Sequence, residues 1–210
     1  MTHNEEAILF YRELGLAIAQ WAAVENALAQ LTTLCLIDAK DRWMLYMGFY
    51  SIENFRSKLQ FTHTLIVDKF KDSAALAEWP DLVKRLKSDS AQRNKLVHRV
   101  VVDYPFGKKL GRRFALVPAP KPDVLDTRSA VNQHEKPPAD SLCLRDINGM
   151  RTEFFAVYVN LVNFSARIRG LDEPLPKSLE QAKGPHTIQS LRNQMHELLG
   201  HPPKPSRRKS

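Results

Sequence analysis

In the run Leu14-Gly15-Leu16-Ala17-Ile18-Ala19-Gln20-Trp21-Ala22-Ala23-Val24-Glu25-Asn26-Ala27-Leu28-Ala29-Gln30-Leu31-Thr32-Thr33-Leu34-Cys35, seven apolar residues recur at steps of three and four: Leu14, Ile18, Trp21, Val24, Leu28, Leu31 and Cys35. That period lines one face of a helix, and the pattern predicts a long amphipathic helix over residues 5–37. A helix of this length with a continuous apolar stripe must bury the stripe against other elements.

The neighbouring stretches supply them. Ile52, Phe55, Leu59, Ile66 and Phe70 predict a second amphipathic helix, with Ser51 as its N-cap; Asn54 rather than an acid stands three positions on, so there is no capping box. Pro80 suits the first turn of a third helix, with Trp79 at its entry and Val83, Leu86 and Val97 on its apolar face, ending near His98. Met150, Phe154, Val157, Leu161, Phe164 and Ile168 predict a fourth helix closed by Gly170.

Between the third and fourth helices the period changes. Arg99-Val100-Val101-Val102-Asp103-Tyr104 is rich in β-branched residues, residues 106–111 read as a turn, and Arg112-Arg113-Phe114-Ala115-Leu116-Val117 reads as the return strand of a hairpin. Residues 118–140 hold five prolines and few apolar residues and predict an extended excursion, after which residues 141–145 are expected to add a third strand. Ile188, Leu191, Met195 and Leu198 mark a short last helix.

The expected architecture is therefore mainly α. A four-helix bundle spans residues 1–170 with a small β insertion at about 99–148, a linker and peripheral helix occupy 171–200, and 201–210 form a basic disordered tail. The length of 210 residues suits one domain, and 43% hydrophobic with 26% charged residues is ordinary globular usage.

The formal net charge of +8 favours polyanions without naming one. Cys35 and Cys143 are the only cysteines and lie far apart, which argues against both a disulfide framework and a zinc site. The acidic residues show no metal-ligand spacing, so neither a metal nor a cofactor is expected. The first residues lack the flank and apolar run of a signal peptide, no membrane span is read, and a cytoplasmic location is the default expectation.

Chemistry concentrates at Arg93-Asn94-Lys95-Leu96-Val97-His98. At roughly 100° per residue Arg93 lies about 20° from Leu86, on the apolar stripe of its helix. A guanidinium there needs a carboxylate or an opening toward a ligand, because an unpaired buried charge costs several kcal/mol. Glu25, between Trp21 and Leu28 on the stripe of the first helix, is the natural partner. His98 follows five positions after Arg93, at the flank of the stripe, and an imidazole can take or give a proton near neutral pH. His63, on the apolar side of the second helix, reads as a satisfied core histidine.

The string of an arginine, a polar residue and a histidine after four intervening positions, near the end of the third helix of a bundle, resembles the signature of the HEPN superfamily. The Trp21-Ala22-Ala23-Val24-Glu25-Asn26-Ala27-Leu28 segment of the first helix is similar to prokaryotic members, and the resemblance spans about residues 5–170. It implies a four-helix HEPN-like bundle and a metal-independent endoribonuclease working as a homodimer on RNA, with no cofactor. Arg93 and His98 would be catalytic, and Asn94 and Glu25 supporting. His98 would deprotonate a ribose 2′-hydroxyl or protonate the leaving 5′-oxygen, while Arg93 would neutralise the charge building on phosphorus.

Such proteins serve as toxins or phage-defence effectors, so an antitoxin or nucleotidyltransferase partner is also implied. Lys95, Arg99, Lys108, Lys109, Arg112 and Arg113 are expected to grip the RNA backbone, or else to solubilise an exposed edge. The competing expectation is a non-catalytic HEPN-like module for dimerisation or for binding a nucleotide or protein. In a nuclease Arg93 and His98 should share an open cleft; in a scaffold Glu25 should close over Arg93.

Overall fold

The computed structural model describes residues 2–35, 39–105, 112–119 and 140–170. The turn at 106–111 with Lys108 and Lys109, most of the proline-rich excursion, the last helix at 188–198 and the basic tail lie outside the described residues.

The long first helix is α1, His3–Thr33. It starts on a capping box: the Thr2 side chain accepts the Glu5 amide, and the Glu5 carboxylate accepts the Thr2 amide at 2.7 Å. Its stripe is buried through Trp21, Val24, Leu28 and Leu31, while Ile18 stays exposed. By length and composition α1 is long and apolar enough to cross a membrane. Here it is the central helix of the bundle, packed against α5 (Leu144–Ile168), α2 (Ala39–Ser51) and α3 (Phe55–Lys69).

The helix α2 has no counterpart among the sequence expectations, and it moves a boundary. Ser51 closes α2, donating to the Gly48 carbonyl at 2.7 Å, instead of opening the next helix. The N-cap of α3 is Asn54, whose side-chain oxygen accepts the Ser57 amide at 2.8 Å. A 3-10 turn (Ala74–Glu78) leads into α4, Trp79–Val97, which carries Pro80 in its first turn as expected.

On α4 the buried positions are Trp79, Leu82, Leu86, Asp89 and Leu96. The stripe thus ends on Leu96, and Val97 is exposed, contrary to the expected placement. His98 is the C-cap, its amide donating to the Asn94 carbonyl at 3.1 Å.

The hairpin is present: β1 (Arg99–Pro105) pairs antiparallel with β2 (Arg112–Pro118), Val101 opposite Leu116 and Asp103 opposite Phe114. Strand alternation points Phe114 at α1, where it meets Phe10, Tyr11 and His3. The other face gathers Val102, Tyr104, Ala115 and Val117.

The expected third strand is not formed. Leu142 makes a single bridge to Leu116, and the chain turns into α5 at Leu144, with the Asp146 carboxylate accepting the Cys143 amide at 2.8 Å. An acid at that position favours helix start over strand continuation. The helix α5 closes at Gly170, whose φ of 72° is the left-handed C-terminal geometry that glycine adopts without a Cβ clash.

The core sits between α1, α3, α4 and α5. Trp21 packs between Phe55 and Phe154, at 4.8 and 5.2 Å between ring centroids, and Trp79 stacks on Phe164 at 5.2 Å. Two polar links tie α1 across the bundle: a buried one from Thr32 to Thr62 of α3 at 2.7 Å, and an ion pair from the buried Glu13 to the more exposed Arg151 of α5 at 3.2 Å. The protein is mainly helical, with a bundle and one small antiparallel hairpin inserted between α4 and α5.

Candidate active site

Three helices deliver charge to one point. Glu25 from α1 accepts the Trp21 indole N–H on Oε1 at 2.7 Å, the Lys58 ammonium of α3 on Oε2 at 3.0 Å, and the Arg93 guanidinium of α4 on Oε1 at 3.3 Å. The Lys58, Glu25 and Arg93 side chains are 9%, 14% and 33% exposed. The partnership of Arg93 with Glu25 is the one expected from their places on two facing stripes.

Lys58 is the member that sequence reasoning missed. Its signal was positional: it lies three residues after Phe55 and four before Thr62, at the edge of the α3 stripe, as Arg93 does on α4. Its ammonium lies 5.4 Å from the Phe49 ring centroid and 5.3 Å from that of Tyr50, both on α2. Cation–π attraction and the Glu25 carboxylate together compensate its burial.

One carboxylate faces two cations, so the cluster carries a net charge of +1, and the Arg93 side chain is its more open member. Arg93 also donates from a second nitrogen to Asn94 Oδ1 at 3.1 Å, which aligns the guanidinium along the end of α4. The outward side of such a fork suits a phosphate.

His98 is exposed one turn further on, and its imidazole has no hydrogen-bond partner among the described residues. On helix geometry the Arg93 and His98 backbones are roughly 9 Å apart, and the two positions lie about 140° apart around the end of α4. Lys95 is exposed, on the wet side as expected.

The hairpin arginines behave differently from one another. Arg99 is only 11% exposed and is tied to the Asp140 backbone carbonyl, to Asp140 Oδ2 at 3.4 Å and to the Leu116 carbonyl at 3.5 Å. Its charge joins two chain segments and is not a free grip for an RNA backbone. Arg113 is exposed on β2, and the side chain of Arg112 lies outside the described residues, as do Lys108 and Lys109.

His63 accepts the Trp79 indole N–H on Nδ1 at 3.0 Å and stacks on its ring, a satisfied core histidine. No group of three or more His, Cys, Asp or Glu able to hold a metal occurs among the described residues.

The surroundings of Glu25 include a tyrosine pair. Tyr46 donates to Asn26 Oδ1 at 2.9 Å, and Tyr50 lies 5.0 Å from Tyr46 between ring centroids. Desolvation first, then its hydrogen bond with Tyr46 and the nearby Glu25 charge, raise the Tyr50 phenol above its ordinary range, so it stays neutral.

A second polar feature lies between α4 and α5. A cleft of about 480 Å³ is lined by Ser88, Asp89, Gln92, Asp146, Glu153 and Phe154, among others. Asp89 is buried there, its Oδ2 without a hydrogen bond among the described residues and 4.0 Å from Arg85. Burial pushes the Asp89 carboxyl above its ordinary value, Arg85 partly offsetting it. No protein-family model, curated protein or solved structure matches this chain.

Proposed function

We propose that the cluster at the end of α4 is a metal-independent RNA-cleaving site of HEPN type, with Arg93 and His98 as its catalytic residues. The observation that carries the reading is the shared carboxylate: Glu25 serves two cations, so Arg93 is held in place without being neutralised, five residues before an imidazole that has no hydrogen-bond partner among the described residues. A site built to hold phosphate needs that combination of fixed position and residual positive charge.

In the proposed reaction the His98 imidazole takes the proton of a ribose 2′-hydroxyl. The 2′-oxygen bonds to phosphorus as the bond to the 5′-oxygen breaks, and the 5′-oxygen leaves with a proton from an imidazolium. Arg93 balances the charge on the equatorial phosphate oxygens, and Asn94 fixes the guanidinium. The products are a 2′,3′-cyclic phosphate and a 5′-hydroxyl, and DNA is spared because it lacks the attacking group. We further propose a homodimer in which two such motifs face each other, restrained in the cell by an antitoxin or nucleotidyltransferase partner and acting as a toxin or defence effector.

Glu25 closing on Arg93 is the arrangement expected of a non-catalytic HEPN-like binding module, and neither Arg93 nor His98 lines the cleft between α4 and α5, so activity has to decide. The experiment is cleavage of labelled RNA in excess chelator by wild type, His98→Ala and Arg93→Lys, each checked for folding and oligomeric state. Cyclic-phosphate ends from wild type, with cleavage reduced 100-fold or more in His98→Ala, are expected. Cleavage by folded His98→Ala at the wild-type rate removes the catalytic assignment, and intact RNA in every case favours the binding module.

A further inference from the structure

The face of α2 turned away from the bundle presents Trp43, Met44, Met47 and Tyr50, with Trp43 and Met44 each 64% exposed. These positions follow steps of one, three and three, so they form a single strip, while Phe49 points inward and is sealed. An exposed strip of this size on one helix calls for an occupant.

Two features of the strip point to a particular one. Its two rings are joined through the half-buried Tyr46 into an ordered series: Trp43 lies 6.0 Å from Tyr46 at 16°, and Tyr46 lies 5.0 Å from Tyr50. The series then runs into the charged cluster, because the Lys58 ammonium lies over Tyr50 and shares Glu25 with Arg93. A row of aromatic faces ending at a net positive centre matches a single-stranded nucleic acid, whose bases stack on rings while its phosphates seek cations.

We infer that α2 is a base-stacking platform that lays unpaired RNA along Trp43, Tyr46 and Tyr50 and leads its backbone to Arg93. This inference rests on the RNA reading above and adds the substrate class: single-stranded and sequence-tolerant, since every base offers a π face.

Trp43 makes the inference measurable without a label. Trp21 and Trp79 are sealed, so a ligand-dependent change in tryptophan emission reports the exposed third ring. The probe is a 2′-O-methyl oligouridylate of about eight nucleotides, roughly the length one platform covers, which cannot be cleaved by 2′-oxygen attack. Titrated into the wild-type protein it is expected to quench Trp43 emission saturably, whereas duplex RNA of equal charge does not.

By anisotropy of the labelled oligomer, Trp43→Leu should bind about tenfold more weakly, the loss expected for one stack, and Trp43→Tyr should retain most of the affinity. Oligomer binding with silent Trp43 emission, or equal affinity in Trp43→Leu, overturns the inference. So does a Trp43→Leu protein that sediments as a smaller species with RNA affinity unchanged, which identifies the strip as an interface between copies. Cleavage is not read in this assay: quenching without nuclease activity leaves the platform and removes the enzyme, and cleavage with silent Trp43 does the reverse.

Discussion

Replacing Glu25 by alanine tests the cluster as a structural unit. The substitution strips the counter-charge from Lys58, whose side chain is 9% exposed, and from Arg93, which is 33% exposed, and leaves the Trp21 indole without its acceptor. Breaking a buried ion pair by removing one partner costs about 3–5 kcal/mol. Arg93 can turn to water, so its share is small, at most about 1 kcal/mol. A total near 4 kcal/mol is expected, which for a chain of this size lowers the melting temperature by roughly 10 °C.

The assay is urea unfolding of Glu25→Ala, Lys58→Met and the double variant. Methionine fills the volume of the lysine stem without its charge, so the double variant should recover about 2 kcal/mol of the loss in Glu25→Ala. A Glu25→Ala protein within 1 kcal/mol of wild type, or a double variant less stable than Glu25→Ala, would refute the account of Glu25 as the shared counter-ion.

Asp89 is raised in the folded state, so the native protein binds its proton more tightly than the unfolded chain does, and stability falls as pH climbs from the ordinary carboxylate range through the raised value. Asp89→Asn should therefore be more stable than wild type at neutral pH, with the gap closing under acid; chemical denaturation at a series of pH values measures it, and a gap independent of pH rejects the burial argument. Burial pushes the Cys35 thiol up to about 11, while Cys143 is exposed. Native protein at pH 8 should release colour from a disulfide reagent at one thiol per chain, and denatured protein at two; two fast thiols in the native state would contradict the burial of Cys35.

The parts of the fold readable from sequence were those with one wet and one dry side. Trp21, Val24, Leu28 and Leu31 announce α1, and Phe154, Leu161 and Phe164 announce α5, because a half-buried helix must repeat its apolar residues at its own period. In α2 apolar residues lie on both the sealed and the open side, Phe49 on one and Trp43, Met44 and Met47 on the other, so no stripe stands out. Its omission displaced the N-cap from Asn54 to Ser51. The pairing of Arg93 with Glu25 was legible because both interrupt an apolar stripe; Lys58 interrupts one less plainly, from its edge, and its aromatic neighbours come from the helix the pattern concealed.

Arg99 decides how the hairpin and the last described helix are joined. It holds the Leu116 carbonyl at the end of β2 and the Asp140 carbonyl ahead of α5, and Leu116 is bridged directly to Leu142. The entry to α5 is therefore fastened to β2 directly: replacing Arg99 by alanine removes the side-chain half of that fastening and leaves the Leu116–Leu142 bridge as its remainder.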